Sequence, residues 1–346
     1  MTVLARALSD LLSAGAREGL FTAGAAGIRI RGERALAVVG RHGLDDPTPT
    51  TTSSLFDLAS MSKAYTSAAI LRLVDDGLID PEAPVAEILP VGSGPDHARI
   101  TLRHLLTHAA GFPAKQLLWK DRSLGAEELR DRVRRTRLES APGALFRYSC
   151  VGFIAAGAVA ETLTGRPLPE LVRTLVTEPL GLTRTGYGPV DSGEAVATED
   201  ETYAGRGMVQ GSVHDELAWA LGGRVGNAGI FAPIDEALAF AESFLDDRLL
   251  GARGWRLATT PAPSPNVPGP FAHSFGLRIS DPGFLGDVSA IGHTGFTGTM
   301  FWVQPEHQVA VTLLTNRVHP RRAGVDLGPF RRRFSEAVAR LADAVA

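Results

Sequence analysis

The sequence predicts an α+β fold in which an antiparallel sheet is flanked by helices and interrupted by an inserted all-helical region. Strand-like runs occur towards both ends of the chain, whereas helix-patterned segments fill its middle. Strands from both ends can share one sheet only if the helical part is inserted between them. The 346 residues, 44% of them hydrophobic, are enough for one large domain or two closely joined ones.

The first predicted elements are an amphipathic helix near the N-terminus and a β-hairpin. The runs Ala25–Ile30 and Arg34–Val39 are separated by Arg31-Gly32-Glu33, which is typical of two short strands joined by a tight turn. The apolar, helix-patterned run Ala64–Leu73 follows. It predicts a helix that begins near Ser60.

Helical patterns broken by proline and glycine dominate the region from residue 81 to residue 250. The predicted helices there are Leu102–His108, Ala126–Arg137, Val151–Thr164 and Leu168–Val176. Further along, a surface loop is predicted over Pro261–Pro270, strands over Ser274–Ile279, Gly298–Val303 and Val309–Leu314, and a closing helix over Phe330–Val345. We therefore expect a sheet domain from residues 1–80 and 251–346, and a helical domain from residues 81–250.

Charge and composition argue against several classes of partner. The formal net charge is −3, from 35 basic and 38 acidic residues, which favours neither nucleic acid nor an anionic membrane. No run reaches the length of a membrane span, and the N-terminus lacks a signal-peptide core. The single cysteine, Cys150, permits no internal disulfide, which suits a reducing compartment. We expect a cytoplasmic protein with no membrane or nucleic-acid partner.

The most informative motif is Ser60-Met61-Ser62-Lys63, at the start of the helix predicted over Ala64–Leu73. Residues three apart share a helix face, with Cβ atoms about 5–6 Å apart, so the Lys63 amine can reach the Ser60 hydroxyl. The helix N-terminus also stabilises negative charge on the serine oxygen. A serine in this place is more often only an N-cap, so the motif predicts a nucleophile only together with partners downstream.

Two such partners follow in order. Tyr148-Ser149-Cys150 precedes a predicted helix, and His293-Thr294-Gly295 lies at the edge of a predicted strand. With the first motif they resemble the serine β-lactamase-like family, which includes class C β-lactamases, DD-peptidases and related esterases. Ser60 and Lys63 match its S-x-x-K, the second motif stands where the family has Y-x-N, and the third matches K-T-G or H-T-G. The resemblance spans roughly residue 20 to the C-terminus and implies a β-lactamase/transpeptidase-like fold.

The resemblance also implies a role for each residue. Ser60 would form a covalent acyl-enzyme, and Lys63 and Tyr148 would share the proton transfers. Lys63 acts as a base only when neutral, which requires burial and a neighbouring cation to lower its pKa. The backbone N–H groups of Ser60 and Phe296 would form the oxyanion hole. The substrate-binding residues would be Cys150, His293, Thr294 and Gly295.

Cys150 is the departure from the family pattern. The asparagine of Y-x-N offers an amide that hydrogen-bonds both the substrate and the lysine, and a thiol replaces neither interaction well. The alternative interpretation is that Cys150 is a small buried packing residue. The loss of the amide weakens the case for amide or β-lactam substrates and favours esters or thioesters.

Other polar groups are assigned to the scaffold. His104 and His108 are four residues apart, but the glutamate of a zinc-binding H-E-x-x-H motif is missing. The run His214-Asp215-Glu216 is interpreted as loop structure near the rim of the site, and the arginines between residues 130 and 137 as a solvated helix face. No metal or organic cofactor is expected.

The predicted function is a serine hydrolase that works through an acyl-Ser60 intermediate, with a carboxylesterase or thioesterase on a small acyl substrate as the favoured form. Three alternatives stay open: an acyltransferase or peptide-cyclising enzyme, a β-lactamase or D-aminopeptidase, and a non-catalytic descendant that binds acylated or peptidic ligands. The missing asparagine motivates the last alternative, and the intact Ser60, Lys63 and Tyr148 argue against it. The oligomeric state is not predicted.

Overall fold

The computed structural model describes residues 2–114, 116–262 and 270–344. Its α-helices are α1 Val3–Arg17, α2 Ser62–Asp75, α3 Leu102–Leu106, α4 Ala126–Arg134, α5 Cys150–Thr164, α6 Leu168–Val172, α7 Glu216–Ala220, α8 Ile234–Glu242, α9 Gly251–Thr259, α10 Pro282–Leu285 and α11 Gly328–Ala344. Its strands are β1 Ala23–Ile30, β2 Glu33–Gly40, β3 Phe56–Asp57, β4 Gly186–Tyr187, β5 Ile230–Ala232, β6 Ala272–His273, β7 Arg278–Ile279, β8 Ile291–Thr294, β9 Met300–Gln304 and β10 Val309–Thr315.

The main sheet joins the two ends of the chain. Its seven antiparallel strands lie in the order β2-β1-β10-β9-β8-β7-β6, and Ile28 of β1 pairs with Val311 of β10. Most of the helices come between β2 and β6 in sequence, as an insertion into the sheet. The predicted α+β class, with an antiparallel sheet flanked by helices, is confirmed. A second, three-stranded sheet in the order β3-β5-β4 leads into α2 and was not predicted.

The main sheet is covered on both faces. Along β10, Val309, Val311 and Leu313 point into one apolar cluster with α1 and α11, while Ala310 and Leu314 point into the other with α2 and α8. Because both faces are buried, β10 is an almost uninterrupted apolar strand. This double cover fixes the position of β8 and its neighbours, which border the site described below.

Several predicted boundaries need correction. The single strand predicted over Ser274–Ile279 is wrong: β6 and β7 are separate strands joined by a tight turn, in which Ser274 N–H donates to Leu277 O and Gly276 has a φ of +95°. The helix predicted over Leu168–Val176 ends as an α-helix at Val172 and continues as a wider π-helical turn over Arg173–Thr177. Of the predicted loop Pro261–Pro270, residues 263–269 lie outside the described residues.

Helix α8 shows how closely the helical region and the sheet are associated. Its sequence position falls between residues 81 and 250, yet it packs on the sheet, and Thr312 Oγ1 of β10 donates to Ala237 O at 3.4 Å. One apolar cluster includes residues of both parts of the chain. The division into a sheet domain and a helical domain at residues 81 and 250 stays a prediction.

In the part of the chain that the structure describes, no helix has the length and apolar character needed to cross a membrane.

Asn316 ties the end of β10 to the start of β1. Its Oδ1 accepts the N–H groups of Thr22 and Ala23 at 3.0 and 2.9 Å, and its Nδ2 donates to Ala197 O at 3.1 Å.

We predict that Asn316→Ala lowers the free energy of unfolding by about 2–4 kcal/mol, because buried backbone groups lose their partner. Urea denaturation measures this change. The exposed Glu306→Ala, in the β9–β10 turn, is the control and should change stability by less than about 0.5 kcal/mol. An equally small effect of Asn316→Ala would contradict the prediction.

Candidate active site

Ser60 lies at the junction of a short strand and a buried helix. Strand β3 leads into a 3₁₀ turn over Ala59–Met61, which continues directly as α2. Ala59 has a φ of +46°, in the left-handed region that favours glycine. The buried carboxylate of Asp57 holds this turn: its Oδ1 accepts Ala59 N–H at 2.7 Å and its Oδ2 accepts His214 N–H at 2.7 Å. One carboxylate therefore fixes both the turn before Ser60 and the loop that carries His214.

The segment after β8 supports the same turn from the other side. Thr297 Oγ1 donates to Asp57 O at 2.8 Å, and Thr299 Oγ1 donates to Leu58 O at 2.9 Å. A Cβ on Gly295 would lie 2.3 Å from Leu58 O and 2.0 Å from Thr299 Oγ1. Glycine is required at this position because the segment that follows β8 touches the backbone of the turn before Ser60.

Lys63 lies at the centre of the site. Its side chain is fully buried, and Nζ donates to Ser60 Oγ at 2.9 Å, to Asn227 O at 3.1 Å and to Cys150 Sγ at 3.6 Å. Lys63 Nζ also lies 5.1 Å from the centroid of the Tyr148 phenol ring. Ser60, Tyr148 and Cys150, which the sequence analysis placed in the site, thus all surround Lys63.

Opposing effects act on the pKa of Lys63. Complete burial lowers it and is the largest single effect, but the interactions with Cys150, Tyr148 and Asp215 together outweigh burial, and the net pKa is raised. The neighbouring cation that the sequence analysis required is not among these main influences, so that requirement is not met. Lys63 is therefore an ammonium ion at neutral pH. Burial raises the pKa of the Cys150 thiol, which stays protonated.

Two buried histidines lie against Tyr148. The ring centroids of His108 and His293 are 4.4 and 6.2 Å from that of Tyr148. Burial, followed by the nearby cations, lowers the pKa of His293 well below its usual value; burial and the neighbouring His273 lower that of His108 in the same way. Both imidazoles are therefore neutral at physiological pH. The sequence analysis assigned His108 to the scaffold and missed its contact with Tyr148, because nothing in local spacing connects the two.

Ser60 lies between two pockets of different character. The first has a volume of about 240 Å³ and a largely apolar wall. It is lined by Ser60, Tyr148, Cys150, Phe296, Leu117, Trp119, Leu217 and Ala228, with Gln116, His214, Asp215, Glu216 and Arg322 among its polar residues. The second, of about 390 Å³, is lined by Ser60, Tyr148, Thr294, Gly295 and Phe296 and by the arginines Arg278, Arg317 and Arg331. Ser60, Tyr148 and Phe296 border both pockets.

A buried ionic cluster supports the rim of the first pocket. Glu199, Glu201 and His214 place donor atoms within 4.8 Å of one another, as a metal site would. Arginines already occupy this cluster: Arg322 Nε donates to Glu199 Oε2 at 2.6 Å, and Arg206 Nη1 lies 3.3 Å from Glu201 Oε2. We interpret the group as an ion-pair network that holds the His214 loop. Sequence spacing could not reveal it, because Arg322 is 123 residues from Glu199.

The profile of the Beta-lactamase family matches residues 4–333. The chain belongs to this family. A putative D-alanyl-D-alanine carboxypeptidase of Escherichia coli K12 is 30% identical over 312 residues, which are 80% of this chain and 72% of that protein. A relative of the same description from Salmonella typhi is 29% identical over 324 residues, 83% of this chain and 74% of that protein. The family is one of serine hydrolases that includes peptidases, amidases and β-lactamases.

Solved structures confirm the β-lactamase/transpeptidase-like fold. EstCE1, described as a hydrolase with promiscuous acyltransferase activity, has a TM-score of 0.78 at 21% identity and covers 97% of this chain and 98% of its own. The D-amino acid amidase of Ochrobactrum anthropi SV3 has a TM-score of 0.78 at 19% identity, with both chains fully covered. A class C β-lactamase of Rhodobacter sphaeroides has a TM-score of 0.76 at 17% identity, covering 97% and 99%.

The close approach at Gly295 gives a test of how rigidly the site is built. We predict that Gly295→Ala reduces kcat/KM for an activated ester by roughly 10²-fold, because the new Cβ must push the Ser60 turn away from β8 and displacements of about 1 Å have that effect. Gly125→Ala is the matched control, since a Cβ there meets no atom within 4 Å. Activity of a folded Gly295→Ala variant within threefold of the unaltered enzyme would contradict the prediction.

Proposed function

We propose that this protein is a serine hydrolase that forms a covalent acyl-Ser60 intermediate, and that it acts as a carboxylesterase or thioesterase on a small acyl substrate. The observation that carries the proposal is the 2.9 Å hydrogen bond from the buried Lys63 ammonium to Ser60 Oγ, beside Tyr148 and at the wall of an open pocket. No metal or organic cofactor takes part. The substrate is the only partner proposed, and the cytoplasmic location stays a prediction from the sequence.

In the acylation step, Ser60 Oγ attacks the carbonyl carbon of the substrate. Lys63 already carries its full set of protons, and its ammonium stabilises the charge on the serine oxygen. The proton of Ser60 passes to the Tyr148 oxygen while the Tyr148 hydroxyl passes its own proton on to the leaving group. The backbone N–H groups of Ser60 and Phe296 are the proposed donors to the oxyanion. The carbon–oxygen or carbon–sulfur bond breaks as the leaving group receives that proton, and water releases the acyl group by the same steps in reverse.

The shape and lining of the first pocket favour a compact apolar acyl group. Its volume of about 240 Å³ is small, and Leu117, Trp119 and Leu217 contribute apolar walls. Cys150 stands where the family pattern has asparagine, and its protonated sulfur is 3.6 Å from Lys63 Nζ. A thiol cannot hydrogen-bond an amide substrate as a carboxamide does, and esters and thioesters depend less on that contact because their leaving groups depart more readily.

A peptidase is the second candidate, and the arginine-lined pocket favours it. Arg278, Arg317 and Arg331 line the second pocket together with Ser60 and with Thr294 of β8. Guanidinium groups suit a carboxylate on the leaving group. The curated relatives are described as putative D-alanyl-D-alanine carboxypeptidases. Acyl transfer to an amine or alcohol is a third possibility, consistent with the description of EstCE1. Product analysis with and without added nucleophiles separates hydrolysis from transfer.

The nucleophile is tested by intact-protein mass spectrometry after a fluorophosphonate and after a panel of activated esters. We expect one covalent adduct, located on Ser60, and no adduct or ester turnover in Ser60→Ala, because the attacking oxygen is gone. The exposed Ser289→Ala is the matched control and should label as the unaltered protein does. Undiminished ester turnover in a clean Ser60→Ala preparation would rule out the proposed intermediate.

The substrate preference is tested at Cys150. We predict that Cys150→Asn increases acylation by a β-lactam such as nitrocefin, relative to activated-ester turnover, by roughly 5- to 150-fold, the value of one restored hydrogen bond. Stopped-flow absorbance measures both rates. Cys150→Ala removes the thiol without adding an amide and should leave the ratio unchanged. If the ratio is the same in folded Cys150→Asn, Cys150 is a packing residue and the ester preference loses its basis.

A further inference from the structure

Arg331 of α11 holds the peptide group between Gly295 and Phe296. Its Nη2 donates to Gly295 O at 2.7 Å and to Thr299 O at 2.9 Å. Gly295 N–H also donates to Thr299 O, at 2.7 Å, so the three residues form a closed ring of hydrogen bonds. The carbonyl that Arg331 holds belongs to the same peptide group as the Phe296 N–H, one of the two proposed oxyanion donors.

The same ring is tied to the turn that carries the other proposed donor. Thr299 Oγ1 donates to Leu58 O at 2.9 Å, just before the turn that contains Ser60. Neither the Ser60 N–H nor the Phe296 N–H makes a hydrogen bond to any of the described residues, and both residues line the two pockets. Arg331 therefore helps to fix one unpaired N–H group relative to the other.

The Gly295–Phe296 peptide needs this support because it follows a glycine. The close contact with Leu58 O requires glycine at position 295, and glycine leaves the adjoining peptide group free to rotate. Without Arg331, the bond that Gly295 O keeps is the one from Gly298 N–H, at 3.2 Å. A guanidinium donor makes a shorter and stronger bond than a neutral one, and it polarises the peptide so that the N–H on its other side donates more strongly.

Arg331 is a cation without a counter-ion in the described part of the chain. Burial, the largest effect, and the nearby Arg317 and Arg278 lower its pKa to about 9, so it stays charged at physiological pH. No described carboxylate lies within ion-pair distance of it, and its Nε is buried without a hydrogen-bond partner among the same residues. The contacts of this cation therefore point to the peptide group that it holds and not to an ion pair.

We propose that Arg331 is a positioning residue that keeps the Phe296 N–H directed at the oxyanion of the acylation and deacylation steps. The inference rests on the proposed function, in which Ser60 attacks an acyl carbon and the Phe296 N–H is one oxyanion donor. Arg331 acts through the Gly295–Phe296 peptide and needs no contact with the substrate. Loss of a complete oxyanion donor costs about 10²–10³-fold in rate, so a misdirected donor should cost roughly 10- to 10²-fold.

The test replaces Arg331 by methionine, which fills much of the same space and donates no hydrogen bond. The fold is expected to survive, because no described carboxylate loses a partner, Gly295 O keeps the Gly298 N–H, and Thr299 O keeps the Gly295 N–H. For an uncharged aryl ester, kcat/KM should fall roughly 10- to 10²-fold, in kcat and not in KM, because the oxyanion forms only during reaction. The exposed Arg340→Gln, on the same helix, is the matched control and should change kcat/KM less than about twofold.

The matching thionoester, in which sulfur replaces the carbonyl oxygen, separates an oxyanion effect from a general loss. Sulfur is a weak hydrogen-bond acceptor, so its reaction gains little from the Phe296 N–H. The ratio of kcat/KM for the ester to that for the thionoester should therefore fall about tenfold in Arg331→Met. Arg331→Lys keeps a charged donor and should recover most of this ratio. Arg331→Gln is uncharged and ends well short of Nη2, so it should lower the ratio as methionine does, and it decides the question if Arg331→Met does not fold.

The possible outcomes separate the inference from its foundation. Fluorophosphonate titration counts the competent Ser60 sites in each preparation, so that rates are compared per site. An ester kcat/KM within threefold of the unaltered protein, or equal losses for ester and thionoester, would overturn the role of Arg331 alone. A loss confined to esters that carry a carboxylate, and seen in KM, would make Arg331 a substrate-binding residue and overturn it too. If the unaltered protein is neither labelled nor active on esters, the proposed function fails and the inference fails with it.

Discussion

The burial of the Lys63 ammonium is the constraint on which the rest of the site depends. A buried charge costs several kcal/mol unless hydrogen bonds and counter-charges replace water. Its partners are Ser60 Oγ, one helical turn away, and Asn227 O and Cys150 Sγ, from segments far along the chain. The fold must therefore bring α2, the start of α5 and the loop before β5 together at one point. The insertion of the helical region into the sheet supplies that arrangement.

The turn before Ser60, like the Lys63 ammonium, is held in place by several hydrogen bonds. The left-handed backbone of Ala59 would be unfavourable alone, and it persists because Asp57, Thr297 and Thr299 all hydrogen-bond to this turn. Asp57 also anchors His214, and the ion pairs of Glu199 and Arg322 anchor the same loop further out. Ser60, the proposed nucleophile, and the wall of the first pocket thus share one hydrogen-bonded support.

The two sides of Ser60 differ in charge because different segments build them. The first pocket takes its largely apolar wall mostly from the helical region, and the second pocket is lined by Arg278, Arg317 and Arg331, which lie in or next to the sheet and in α11. A neutral His293 leaves the charge near Tyr148 to Lys63 and to Arg278 on the adjacent strand.

The sequence by itself determined the local features: the β1–β2 hairpin, the helical run into α2 in which Ser60 and Lys63 are one helical turn apart, and the order of the three motifs. These follow from periodicity and from i, i+3 spacing, which depend on neighbouring residues only. The tertiary structure alone decided that the pKa of Lys63 is raised, that His108 contacts Tyr148, that Arg278 faces the same ring, and that Arg322 joins Glu199. Charge and burial act through space, and the segments that meet at Tyr148 are separated by many tens of residues, so no local pattern could contain their distances.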